Sequence, residues 1–234
     1  MITFGIDTSG RTVSVAITQD GQLLFESFWN GGLTHSETLM TLVDTAFRST
    51  NLTPQQVDVW GVCSGPGSFT GLRIGIAAVK GLSFGTGAEC AAVSSLEALA
   101  QGLVGEGTVI SALDARRGQV YWAAFDLGPE HTRLTPDTAA SVDSLAEFVE
   151  NCKKPLFFVG DGAALCYNKY DTVTGVQPCP PVMQCCRAAA VCLTAEHMKA
   201  QGLCTAPDQL LPSYHRLSQA ERERQMRLEG EPVT

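Results

Sequence analysis

The stretch that decides the fold runs from Ser64 to Gly81 and reads SGPGSFTGLRIGIAAVKG. The residues before it, Val57–Cys63, are rich in β-branched side chains and predict a buried strand. Gly65–Gly67 ends that strand, because its proline lacks an N–H and its glycines reach positive φ. Ser68 is a favourable N-cap, so the sequence predicts a helix over about Phe69–Phe84.

Small residues recur along this helix at spacings of three and four, which put them on one face: Gly71, Gly75, Ala78, Gly81 and Gly85. Each glycine inside a helix costs about 1 kcal/mol relative to alanine, so the pattern indicates a close approach by other atoms. Two interpretations remain open. The helix lies flat on its own sheet, or the helix of another chain approaches the stripe.

The composition predicts a globular protein of one large or two small domains. The chain has 234 residues, of which 44% are hydrophobic and 17% charged. No apolar run reaches the length of a membrane span, and the start Met1–Phe4 lacks the basic residues of a signal peptide. We expect a cytoplasmic protein with no membrane contact. The net charge of −8 argues against a surface built mainly to hold phosphate backbones.

The nine cysteines are an odd number, and no two of them form a Cys-x-x-Cys pair. A cluster in the second half misses the spacing of a zinc finger: Cys179, Cys185, Cys186 and Cys192. The pattern favours free buried thiols in a reducing compartment.

The chain opens as an antiparallel meander. Apolar stretches predict strands over 2–6, 12–18 and 23–29, with an acidic turn at Asp7–Arg11 and an Asp-Gly hairpin turn at Asp20-Gly21. Thr34–Glu37 and Ser94–Glu97 have the pattern of capping boxes, so each predicts the start of a helix. A short strand over Cys90–Val93 precedes the second of these helices.

A second structural unit begins after the glycine-rich segment 102–107. Asp114 aligns with Asp7, and Val120 with Val13, at a common offset of 107 residues. Each copy reads as strand, acidic turn, strand, so we interpret the chain as a duplication. The predicted domains are an N-terminal lobe at 1–105, a C-terminal lobe at 106–216 and a charged tail at 217–234. The predicted elements of the second half are helices over Ser144–Cys152 and Met183–Gln201, a strand over Leu156–Val159, and a solvated helical tail from Glu221.

Five motifs occur in a fixed order between residues 2 and 216: Ile6–Ser9, His35–Leu39, Gly65–Gly75, Asp114–Arg116 and Pro212–Arg216. In this order they resemble the bacterial TsaB family, also called YeaZ. The two hairpin-led halves resemble the architecture of actin, sugar kinases and Hsp70. The resemblance implies an α/β, duplicated ribonuclease-H-like or actin-like (ASKHA) fold, with two lobes that each have a mixed sheet flanked by helices.

The resemblance also implies a function, that of a non-catalytic scaffold subunit. Such a subunit binds and activates a TsaD-type catalytic paralogue, which forms N6-threonylcarbamoyladenosine at position 37 of tRNAs reading ANN codons. Further implied partners are a TsaE-type ATPase, a second copy when the chain is alone, and tRNA through the complex. The resemblance implies that this chain binds no cofactor by itself. It implies ATP or ADP at the interface with the partner. The implied interface residues are His35, Leu39, Gly71, Leu72, Gly75, Ala78 and Lys80.

The residues argue against an independent active site. In the TsaD relatives two neighbouring histidines hold a metal, whereas here only His35 stands in the matching region, and no two histidines share a helical spacing. The second turn, Asp114–Arg117, carries bulky side chains where a phosphate would need glycine. We therefore expect no catalytic residue and no metal. Asp7, Arg73 and Arg116 remain candidates for nucleotide or tRNA contact, with a purely structural turn as the alternative for Asp7.

Two other functions stay open on the sequence alone. The first is an ATP-dependent kinase or carbamoyltransferase acting on its own. The second is a protease with Ser68 as nucleophile, although no histidine has an evident route to that serine. Tight nucleotide binding by the isolated chain would favour the ATP-dependent enzyme over a scaffold subunit.

Overall fold

The computed structural model describes residues 1–32, 34–128 and 131–216. Its first sheet has five strands: β1 (Ile2–Asp7), β2 (Val13–Gln19), β3 (Gln22–Trp29), β4 (Val59–Gly65) and β5 (Glu89–Ser94). Their order is β3-β2-β1-β4-β5. The first three strands pair antiparallel, which confirms the predicted meander, and β4 and β5 join parallel to β1.

The second sheet repeats this plan with four strands: β6 (Thr108–Arg116), β7 (Gln119–Asp126), β8 (Thr138–Ser141) and β9 (Leu156–Val159). Their order is β8-β7-β6-β9. As in the first sheet, the first two strands, β6 and β7, form an antiparallel hairpin. The third strand, β8, pairs antiparallel with β7, and the last strand, β9, pairs parallel with β6. The predicted α/β architecture of two mixed sheets is therefore confirmed.

The duplicated aspartates occupy equivalent turns, as the repeat predicts. Asp7 ends β1, and its Oδ1 accepts a bond from the Ser9 N–H at 3.0 Å. Asp114 lies near the end of β6, and its Oδ1 accepts from the Arg116 N–H at 2.7 Å. Each carboxylate thus accepts a hydrogen bond from the backbone N–H of the residue two positions later in the chain. The two aspartates differ in exposure, since Asp7 is buried and Asp114 is exposed.

The helices are α1 (His35–Thr50), α2 (Phe69–Ser83), α3 (Ser95–Ala100), α4 (Ala146–Asn151), α5 (Ala163–Tyr170) and α6 (Ala188–Ala200). At the start of α1 the Glu37 carboxylate accepts from the Thr34 N–H at 3.0 Å, as a capping box predicts. At the start of α3 the second predicted box is incomplete, because the Glu97 carboxylate binds Arg133 instead.

Several predicted bounds in the second half are wrong. The predicted helix over 144–152 is a 3-10 turn, Val142–Leu145, followed by the short α4. The long cysteine-rich helix begins at Ala188 and not at Met183, because Arg187 has extended backbone angles. Strand β8 and helix α5 were not predicted at all. The predicted tail at 217–234 lies outside the described residues.

Helices cover both faces of the first sheet. Helices α1 and α2 pack on one face, where Phe4 stacks between Phe47 and Trp60 at centroid distances of 5.0 and 4.9 Å. Helix α6 packs on the other face so closely that a Cβ on Gly5 would lie 2.5 Å from the Ala188 carbonyl oxygen. Since α6 belongs to the second half in sequence, the predicted boundary at residue 105 separates the two sheets but not their helices.

All nine cysteines are free thiols, and six of them are buried. No helix in the described part of the chain is long and apolar enough to cross a bilayer.

Candidate nucleotide cleft and partner surface

The glycine-rich turn after β4 lies directly against the turn between β1 and β2. The Ser68 N–H donates to the Ser9 carbonyl at 2.7 Å, and the Thr8 hydroxyl donates to the Gly71 carbonyl at 2.7 Å. A Cβ on Gly67 would overlap the Ser9 carbonyl oxygen, and one on Gly71 would overlap that of Thr8. The glycines are therefore required by the chain's own neighbouring turn.

The glycine stripe of α2 divides into two parts. A Cβ on Gly75 would overlap the Thr8 hydroxyl oxygen, whereas one on Gly81 or Gly85 would meet no atom within 4 Å. The interpretation in which the helix packs on its own lobe thus holds for the first two turns of α2. The C-terminal part of the stripe faces open space.

Four of the seven predicted interface residues are buried inside the chain itself: Leu39, Gly71, Leu72 and Gly75. The first sheet and the β1–β2 turn cover that side of α1 and α2, so these four residues pack inside the chain, and their assignment to a partner surface stays a prediction. Ala78 is half-buried against the same core. Sequence periodicity identified the face with small residues but could not tell which molecule covers it.

The two remaining predicted interface residues also have contacts within the chain. His35 Nε2 lies 2.9 Å from the Gly10 carbonyl oxygen, and the Lys80 ammonium donates to the Asp208 carbonyl at 3.1 Å. The exposed side of these helices carries other side chains, which sequence reasoning missed. They include Met40, Arg73, Ala77, Gly81 and Phe84, and Phe84 is 85% exposed.

A C-terminal segment, residues 211–216, crosses from the first lobe to the second, and we refer to it as the strap. The Ser213 N–H donates to the Ser64 carbonyl at 2.8 Å, and Arg216 donates to the Ala115 carbonyl at 2.5 Å. The Tyr214 ring stacks on Phe69 at 4.6 Å. The crevice between the strap and the glycine-rich turn is too narrow to hold a water molecule. The strap therefore covers the glycine-rich turn and connects it to the end of β6 in the second lobe.

Replacing Tyr214 with alanine is expected to loosen the strap, because the substitution removes both the stack on Phe69 and the acceptor of the 2.7 Å bond from Arg73 Nε. Aromatic pairs contribute about 0.5–1.5 kcal/mol beyond their buried area. We expect the melting temperature to fall by roughly 2–4 °C and cleavage by trypsin after Arg216 to accelerate. Tyr214→Phe, which keeps the ring, is the matched control and should retain most of the protection. Equal cleavage rates in all three proteins would contradict the role of the ring.

The three candidate nucleotide or tRNA contacts do not form one open site. Arg73 is exposed, and its guanidinium lies 5.6 Å from the centre of the Tyr214 ring. Arg116 is exposed at the tip of the β6–β7 hairpin, where it and Arg117 have φ of 64° and 57°. Asp7, by contrast, has no exposed surface. Burial therefore favours the structural interpretation of Asp7, and its contact with a nucleotide or tRNA stays a prediction.

The buried Asp7 carboxyl has two different oxygens. Oδ1 accepts from the Ser9 N–H and hydroxyl, at 3.0 and 2.6 Å. Oδ2 makes no hydrogen bond of normal geometry with the described residues. Burial raises the pKa of Asp7, because the charged form loses its hydration, while the bonds from Ser9 and the nearby Cys63 thiol oppose that rise. Burial likewise raises the pKa of the Cys63 thiol well above its usual value.

Two hairpin-led mixed sheets, with helices on their faces and a cleft between equivalent acidic turns, define the actin-like ATPase (ASKHA) class of fold. Within this class, YeaZ from Pseudomonas aeruginosa superposes with a TM-score of 0.75 at 26% identity, covering 91% of this chain and 99% of that one. The chain belongs to the TsaB family, also called YeaZ. The family profile described as "TsaD: tRNA N6-adenosine threonylcarbamoyltransferase" matches residues 32–223.

Two relatives are both named "tRNA threonylcarbamoyladenosine biosynthesis protein TsaB". The protein of Bacillus subtilis is 30% identical over 179 residues, which is 76% of this chain and 78% of that protein. The protein of Escherichia coli is 34% identical over 123 residues, about half of each chain at 51% and 53%.

Proposed function

We propose that this chain is the non-catalytic subunit that binds and activates a TsaD-type paralogue in tRNA threonylcarbamoyladenosine biosynthesis. The product would be N6-threonylcarbamoyladenosine at position 37 of tRNAs reading ANN codons. Family membership supports the pathway, since the relatives are named for it. The observation that supports the non-catalytic assignment is that protein covers the glycine-rich turn.

Phosphate sites of this kind use glycines so that backbone N–H groups can approach the ligand closely. Here the space in front of the glycine-rich turn is taken by protein. A Cβ on Gly65 would overlap the Ser213 carbonyl oxygen, and one on Gly67 would overlap that of Ser9. Both neighbours are carbonyl oxygens, which repel phosphate. This argues against a phosphate group held by the glycine-rich turn of the isolated chain.

The exposed side of α1 and α2 supports the proposed interaction with the paralogue. Ala77 and Gly81 are small and exposed there, so another helix can approach α2 closely, and Met40 and Phe84 supply exposed apolar surface. We propose that the same surface forms a homodimer when the chain is alone. A TsaE-type ATPase then joins the pair, ATP or ADP lies at the partner interface, and tRNA binds through the complex.

The purified chain is expected to transfer no threonylcarbamoyl group and to hydrolyse no peptide, because only His35 stands where the TsaD relatives have two histidines, and protein covers the glycine-rich turn. Adding a TsaD homologue, the ATPase, an activated threonylcarbamoyl donor and tRNA should give product. The measurement is nucleoside analysis of the tRNA by mass spectrometry, with each protein omitted in turn.

Calorimetric titration of the isolated chain with ATP and Mg²⁺ addresses the remaining alternative, an ATP-dependent enzyme acting alone. We expect no binding heat at micromolar protein concentration. Tight ATP binding, or turnover that survives repurification of the lone chain, would overturn the scaffold assignment.

A further inference from the structure

Three metal-binding side chains from distant parts of the sequence meet beside the end of β1. Asp7, Cys63 and Cys186 are all buried, and one carboxylate oxygen and two sulfur atoms lie within 4.8 Å of one another. They come from the end of β1, from β4 and from the segment just before α6. Nothing in the proposed scaffold function uses this cluster.

The carboxylate oxygen in the cluster lacks a partner. Asp7 has no exposed surface, and its Oδ2 makes no hydrogen bond of normal geometry with the described residues. Buried acceptors are rarely left in this state, because they have lost hydration without a replacement. Ser9 already binds Oδ1, so Oδ2 is the carboxylate oxygen left to bind another group.

The distance between the two sulfur atoms fits tetrahedral coordination. A Zn–S bond of about 2.3 Å in a tetrahedral site separates two sulfur ligands by about 3.8 Å. Cys63 Sγ and Cys186 Sγ are 3.9 Å apart. Two thiolates and one carboxylate oxygen suit Zn²⁺ and disfavour Mg²⁺ and Ca²⁺, which prefer oxygen ligands only.

We propose that Asp7 Oδ2, Cys63 Sγ and Cys186 Sγ bind one Zn²⁺ ion, with a water molecule in the fourth position. Both thiols lose their protons to solvent when the ion binds. The ion would join β1 and β4 to the segment before α6, and so hold α6 on the first sheet. The role is structural and separate from any step of tRNA modification.

The test uses the full chain, purified under reducing conditions, stripped with a chelator and titrated with Zn²⁺ or with Co²⁺ as a coloured probe. We expect one ion per chain, sulfur-to-Co²⁺ charge-transfer absorption, and a rise in melting temperature of roughly 5–15 °C with excess Zn²⁺. Cys186→Ala should abolish the absorption and most of the rise in melting temperature. Cys166→Ala removes another buried thiol, away from the cluster, and should change neither.

X-ray absorption of the Zn²⁺-loaded wild-type protein tests the ligand set without any variant. Two sulfur and two oxygen or nitrogen neighbours are expected. Four sulfur neighbours would show binding at other cysteines and overturn the proposal. The proposal would also be overturned if the stripped wild-type chain did not bind one equivalent of Zn²⁺ or Co²⁺.

Discussion

Gly71→Ala is expected to destabilise the protein by about 2 kcal/mol, although alanine is the better helix former. The new Cβ would overlap the carbonyl oxygen of Thr8, a backbone atom that cannot rotate away. Overpacking of a core costs typically 1–3 kcal/mol, and the gain in helix propensity returns at most about 1 kcal/mol. Thermal unfolding should show a fall in melting temperature of roughly 4–8 °C.

The matched control lies on the same helix. Gly81 is also inside α2, but a Cβ there would meet no atom within 4 Å. Gly81→Ala should therefore raise stability by up to about 1 kcal/mol. If the Gly71→Ala protein were as stable as the Gly81→Ala protein, α2 would not pack closely on the β1–β2 turn at Gly71.

Ala77→Arg is expected to abolish association with the TsaD-type paralogue and with a second copy, while the monomer stays folded. Ala77 is exposed on α2, so a long charged side chain there costs the monomer little. In an interface that depends on close helix approach, the same side chain adds bulk and an unpaired charge. We expect affinity to fall at least about tenfold, which corresponds to about 1.4 kcal/mol, and product formation by the reconstituted complex to fall with it.

Two controls separate this surface from a general charge effect. Ala77→Ser keeps the residue small and should bind as the wild type does. Val104→Arg places the same charge at another exposed site, in the loop after α3, and should also leave binding intact. Sedimentation and pull-down with the paralogue are the measurements. Full binding by the folded Ala77→Arg chain would exclude the exposed face of α2 as the interface.

At the candidate site, the sequence predicts that other atoms approach α2 closely but does not predict which atoms they are. The spacing of Gly71 and Gly75 correctly indicates a close approach, because glycine inside a helix is otherwise unfavourable. The approaching atoms belong to Thr8, which is distant in sequence, so the spacing carried no information on whether they came from this chain or another. Ala77 and Phe84 are seven residues apart, a spacing that fits one helical face, but only their exposure in the structure shows that the chain leaves them uncovered.

The sequence by itself determined the meander, the glycine-rich turn with its helix, and the duplication at an offset of 107 residues. These features depend on local periodicity, capping and turn chemistry, which neighbouring residues specify. Only the tertiary structure decided that α6 covers the first sheet and that the strap covers the glycine-rich turn. It also decided that the side chains of Asp7, Cys63 and Cys186 lie close together. Each of these contacts joins segments far apart in the chain, such as the two thiols 123 residues apart. The physical reason is that such contacts follow from how the buried faces of whole elements pack together.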